Sequence, residues 1–177
     1  YVFYGEESYL REYYLGELRK KLAPPGFETF NVHTLEGKDV TAQALAETVE
    51  AMPMMAERTL TAVTDWDLFK LGEDQREKLI ALLEDLPPYG CVVFVYDTLE
   101  YKPNKTMKKL CKALEAYVEA VEFPAASSAD LLPWISRRFK ALGKEIGRTE
   151  AEYLIFTCGG LMTGLVPEIE KIAAYAK

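Results

Sequence analysis

The residues best suited to chemistry lie where the first β-type run meets the first helical one, at Tyr4-Gly5-Glu6-Glu7-Ser8-Tyr9. A phosphate-binding loop at such a junction carries glycines whose backbone N–H groups cradle the phosphates. It also needs a Lys to neutralise them and a Ser or Thr to hold magnesium. Here there is one Gly, no Lys, and two carboxylates where a polyanion would have to sit. Each carboxylate repels a nearby phosphate by at least about 1 kcal/mol, even in a water-like dielectric. Nucleotide binding by the usual route is not expected, and no cofactor is expected either.

Other reactive residues are thinly spread. Asp65 and Asp67 follow a β-type run and have the chemistry to hold a metal, but turn formation at a strand end accounts for them more simply. The single histidine, His33, has no Cys partner nearby and reads as structural or exposed. Cys91, Cys111 and Cys158 fit no zinc spacing, and an odd count argues against a disulfide framework. They read as reduced thiols in a cytoplasmic protein. Tyr96-Asp97-Thr98 closes the most apolar run, at the edge of an α/β sheet where ligands gather. With no phosphate loop beside it, that segment also reads as structural. No Ser-His-Asp or Cys-His pattern can be assembled, so no catalytic and no metal-binding residue is assigned.

The 177 residues are 49% hydrophobic and 28% charged, which is the composition of an ordinary globular chain. No apolar run approaches the roughly 18 residues of a membrane span, and the opening Tyr1-Val2-Phe3-Tyr4-Gly5 lacks the basic flank of a secretory signal. The formal charge is −7. A chain that wraps DNA by itself is usually basic, because phosphate neutralisation supplies most non-specific affinity. Any DNA contact is therefore local or shared with other subunits, and the global charge favours a protein partner. Lys102, Lys105, Lys108, Lys109 and Lys112 form an extended basic stretch. A solvated helix face explains them most simply. A phosphate or subunit contact by Lys105, Lys108 and Lys109 is the other reading, and Arg137, Arg138 and Lys140 admit the same pair.

The elements that must position these residues alternate in type. Strands are expected at 1–4, 27–34, 58–64, 91–96 and 118–123. Helices between them start at Ser8, at Thr41 and near Asp74, with a short basic one at 105–113. The helix from Ser8 carries Leu10, Tyr14, Leu18 and Leu22 on one face; the helix from Thr41 carries Leu45, Val49 and Met52 on its apolar face, and Pro53 stops it. Cys91 to Tyr96 is a continuous apolar run of the kind buried on both faces of a parallel sheet. After Pro124 only helices follow. Ser127 with Asp130, and Thr149 with Glu152, have capping-box spacing. Leu132, Ile135, Phe139 and Leu142 make one stripe ended by Gly143, and Ile169, Ile172, Ala173 and Ala176 make another. The expected fold is a five-stranded parallel α/β domain over residues 1–125, with a three-helix lid over 126–177. A further C-terminal domain is expected beyond the last helix. That layout is the one found in AAA+ nucleotide-binding modules, here without a working phosphate loop.

Several separated segments together resemble the DNA polymerase III delta subunit family. They are Tyr4-Gly5-Glu6-Glu7-x-Tyr9-Leu10, Phe30-Asn31 with Glu36-Gly37, Met52-Pro53-Met54-Met55-Ala56-Glu57-Arg58, Lys105 to Leu114, Leu132-x-Trp134-Ile135, and Gly159-Gly160 through Lys171. The resemblance implies a clamp-loader subunit that binds and opens the β sliding clamp for loading onto primed DNA. It also implies no ATP hydrolysis by this subunit. A hydrophobic wedge at Met54 and Met55 would make the clamp contact. The implied partners are the clamp and the delta-prime and tau/gamma loader subunits, with DNA met only inside the assembled loader. The missing C-terminal part would be the collar through which loader subunits assemble. Met54 and Met55 follow a helix-ending Pro, where exposure is expected. Packing on the chain's own core is the other reading of the pair. A nucleotide-dependent enzyme with an atypical phosphate site is the alternative for the chain as a whole.

Overall fold

The computed structural model describes residues 1–176, and they form two compact units. The first comprises Tyr1–Gly5 and Tyr13–Glu122, and the second Glu6–Glu12 and the described residues from Phe123 on. Residues 6–12 thus belong with the C-terminal helices, although a division near residue 125 would place them in the α/β part.

The first unit is built on a five-stranded parallel sheet: β1 (Val2–Tyr4), β2 (Val32–Glu36), β3 (Thr59–Thr64), β4 (Gly90–Val95) and β5 (Ala120–Glu122). The strand order is β2-β3-β4-β1-β5. β3 and β4 pair over their full lengths, from Thr59 opposite Gly90 to Thr64 opposite Val95. Their apolar runs are buried on both faces, as a central parallel position requires. The edge strands β2 and β5 are partly exposed.

Helices α1 (Ser8–Leu22), α2 (Glu28–Asn31), α3 (Ala42–Glu50), α4 (Glu73–Glu84) and α5 (Lys108–Tyr117) connect the strands. Thr41 caps α3 by accepting the Ala44 N–H at 3.1 Å. Ala42, Leu45 and Val49, spaced three and four apart, bury one face of that helix. The core joins them to Val63, Leu79 and Phe94.

Three expectations give way here. The run from Phe27 forms a helical turn over 28–31 before β2 starts at Val32, because the Phe30 and Asn31 N–H groups close back on the Phe27 carbonyl. Ser8 is the first helical residue and not a cap, since its hydroxyl pairs with the Thr163 hydroxyl at 2.8 Å. On α1 the fully buried residue is Arg11, while Tyr14 is exposed.

The second unit packs α6 (Ser128–Ala141), α7 (Arg148–Cys158) and α8 (Met162–Tyr175) around Leu131, Ile135, Phe139, Leu154, Leu165 and Ile169. The Ser127 hydroxyl accepts the Asp130 N–H at 3.3 Å and donates to the Asp130 carboxylate at 2.5 Å. Gly143, at φ +71°, ends α6 with paired bonds from Gly143 N–H to Lys140 and from Lys144 N–H to Phe139. The buried stripe of α6 keeps the expected Ile135 and Phe139 but starts at Leu131 in place of Leu132, and Leu142 is exposed. On α8 Ile172 likewise faces outward. α7 is capped by Gly147, so Thr149 lies inside the helix, and Glu152 pairs with Arg148 at 2.8 Å. Among the described residues no helix is long and apolar enough to cross a membrane.

Gly37 sits against the backbone of Asp65, where a Cβ would overlap the Asp65 carbonyl. Gly37→Ala is expected to destabilise the α/β unit by about 1–3 kcal/mol. A urea transition followed by tryptophan fluorescence measures it, through Trp66 in that core.

Candidate functional site

The segment between α3 and β3 turns sharply and leaves its side chains outside. α3 ends at Ala51 with extended backbone, and Pro53 prevents any helical continuation. Met52, Met54 and Met55 are 80%, 46% and 75% exposed. Met55 has φ +53°, and with Asp65 it is one of two non-glycine residues in the left-handed region among those described.

A single buried amide fixes this turn. Asn31, at the end of α2, is fully buried. Its Nδ2 donates to the Phe27 carbonyl at 2.9 Å and to the Met54 carbonyl at 2.8 Å, and its Oδ1 accepts the Met54 N–H at 2.8 Å. Both backbone polar groups of Met54 are satisfied by one side chain, so the apolar side chains can stay out while the backbone remains ordered. Met52, expected on the apolar face of the helix from Thr41, is instead exposed beside the pair, because α3 ends at Glu50, before it; the clamping role of Asn31 was not legible locally. Asn31 shows in the sequence as a polar residue in an alternating run and in the Phe30-Asn31 segment of the family resemblance, neither of which names its partner.

The first turn is filled by the protein's own carboxylate. Glu7 is fully buried, its N–H donates to the Phe123 carbonyl at 3.0 Å, and its Oε2 accepts the Met162 N–H at 2.9 Å. Met162 opens α8, so a carboxylate stands where the N–H groups and dipole of a helix start favour an anion. The Tyr9 hydroxyl receives Arg138 Nη1 at 2.7 Å, and that guanidinium lies 5.4 Å from the Trp134 ring centre.

Asp65 is likewise committed to structure. Its carboxylate accepts N–H groups of Asp97 (2.8 Å), Thr98 (3.0 Å) and Leu99 (3.2 Å) and the Thr98 hydroxyl (2.6 Å). Burial alone would raise its pKa. The hydrogen bonds from the Thr98 hydroxyl and the three N–H groups outweigh that, and the carboxyl is held below the usual aspartate value. Asp67 accepts the Phe69 N–H at 3.1 Å and pairs with Lys70 at 3.0 Å. Among the described residues no group of three or more His, Cys, Asp or Glu is placed to hold a metal.

The basic stretch is split between two grooves. Lys105, Lys108 and Lys112 line one with Phe69 and Tyr101. Lys109 lines the other with Glu73, Arg76 and Glu77 of α4, and Lys108 lines both.

The family model described as DNA polymerase III, delta subunit, matches residues 1–123. The chain belongs to that family. It is 28% identical over 181 residues to DNA polymerase III subunit delta of Bacillus subtilis, covering 99% of this chain and 51% of that protein. The solved Bacillus subtilis DNA clamp loader delta protein superposes with a TM-score of 0.66 at 24% identity, over 99% of this chain and 52% of that one. A Thermotoga maritima RuvB variant gives a TM-score of 0.58 at 16% identity, over 98% and 54%. This delta-family chain therefore has the AAA+ type of fold, and it spans about half the length of the relatives it matches.

Two outcomes test the geometry. In Asn31→Ala the Met54 amide should exchange with solvent at least about tenfold faster, read by hydrogen exchange, while amides of β4 keep more of their protection. The Asp65 carboxyl is depressed on folding, so its contribution is complete above the unfolded value of about 3.9 and is lost as pH falls through the lower folded value. Asp65→Asn should therefore lower stability at pH 7 and flatten the acid limb of the stability-against-pH curve below about pH 4.

Proposed function

We propose that this chain binds the edge of the β sliding clamp through Met54 and Met55 and opens one interface of the ring for loading onto primed DNA, without hydrolysing ATP itself. The observation that carries the reading is the exposed methionine pair on a turn pinned by buried Asn31. Burying each such side chain in a partner pocket contributes about 1.5–3 kcal/mol. Methionine adapts its shape to the pocket it meets. Because the turn is ordered beforehand, little entropy is lost when it docks.

Membership of the delta family supports the same reading, and so does a first turn occupied by Glu7. The partners are the clamp and the delta-prime and tau/gamma loader subunits. With a chain charge of −7, DNA is met only within the assembled loader.

A surface-binding titration against β clamp from the same organism tests the assignment. Met54→Ala/Met55→Ala should weaken binding at least about tenfold, with an unchanged thermal transition. Equal affinity for both proteins would move the contact off this turn. A folded chain with no affinity for the clamp would overturn the function.

A further inference from the structure

Helix α5 begins against its own dipole. Lys108 and Lys109 occupy its first turn, no acidic residue is there, and Met107 at the cap position supplies no side-chain hydrogen bond. Positive charge at a helix start is unfavourable, so these lysines do not serve the helix. Among the described residues Lys105, Lys108, Lys109 and Lys112 make no ion pair, whereas the neighbouring Lys102 pairs with Glu100 at 2.6 Å. Four unpaired ammonium groups lie within eight positions of a chain whose net charge is −7.

Three of them rim an apolar trough. Lys105, Lys108 and Lys112 line an open groove of about 530 Å³ whose remaining walls include Phe69, Tyr101, Leu114 and Val118. Glu115 is the single carboxylate on the lining. The aromatic rings are already engaged with each other and with neighbours. Tyr101 stands 6.0 Å from Phe69, 4.9 Å from Tyr4 and 5.0 Å from Tyr96 between ring centres. A nucleobase needs an open aromatic face to stack on, and this floor offers a packed apolar wall instead. Lys108 and Lys112, one helical turn apart on α5, and Lys105 just before it stand above such a wall and match a peptide that combines large apolar with acidic side chains.

We propose that this groove docks an acidic amphipathic peptide segment of another protein. An apolar side chain of that segment would lie against Phe69, Leu114 and Val118, and its carboxylates would meet Lys105, Lys108 and Lys112. The groove shares no residue with the Met54–Met55 turn, so the proposal stands independently of clamp binding.

The test is a fluorescence-anisotropy titration of this chain with a labelled synthetic peptide alternating Leu or Phe with Asp or Glu. A matched peptide carries Asn and Gln in place of the acids, and labelled oligothymidylate is the third probe. Cys111 is half-buried in the groove wall and reports occupancy through its alkylation rate in a Cys91→Ala/Cys158→Ala background. The acidic peptide should bind at least about tenfold more tightly than the amide control and weaken with salt. It should also slow Cys111 alkylation. Lys108→Glu/Lys112→Glu should abolish this binding at an unchanged or higher melting temperature, because Lys108→Glu removes the unfavourable charge from the helix start. Equal affinity for both peptides, or binding indifferent to the charge reversal, would overturn the proposal. Protection of Cys111 by oligothymidylate and not by the acidic peptide would overturn it too, making the rim a phosphate contact.

Discussion

Parallel strands cannot be joined by tight hairpins, so every connection must travel back along the sheet before the next strand starts. With five strands all running one way, turns that leave strands gather at one edge and returns into strands gather at the other. The buried pairing of β3 with β4 fixes this arrangement, and both edges inherit their geometry from it. The methionine turn is a return into β3. Its shape is set by where α3 ends and where Thr59 must enter the ladder, and by Asn31 at the parallel return into β2. Asp65 ties the turn leaving β3 to the turn leaving β4 at the opposite edge.

The chain spends its own carboxylates where free backbone N–H groups would otherwise invite an anion. Asp65 takes three successive N–H groups after β4, and Glu7 takes the first N–H of α8. Each interaction is internal, so it satisfies backbone N–H groups at the expense of an open anion site. Such contacts hold the loops of the fold in shape with the chain's own side chains.

What remains outward is sorted by chemistry. Apolar groups project from the turn at 52–55, held by a buried amide, while ammonium groups stand along α5 above a packed aromatic wall. Both patches lie on the surface of the α/β unit, and they share no residue.

The alternation of strands and helices, the two-faced burial of 91–95, the caps at Thr41 and Ser127 and the stop at Gly143 were all determined by the sequence itself. Each depends on residues within about one helical turn or one strand of each other. The exposed methionines at 54 and 55 were legible for the same reason, since Pro53 ends the helix beside them. The tertiary structure decided the rest. Backbone N–H groups of Phe30 and Asn31 closing on the Phe27 carbonyl made a helical turn of 28–31, a run that alternates like a strand. A periodic pattern names a helix face but not the neighbour that will cover it, so Leu131 and not Leu132 became core in α6. Asn31 meets Met54 across 23 positions, and Glu7 meets Met162 across 155. Partners that distant leave no local signature, because only the assembled sheet and the packed helices bring their atoms within hydrogen-bonding reach.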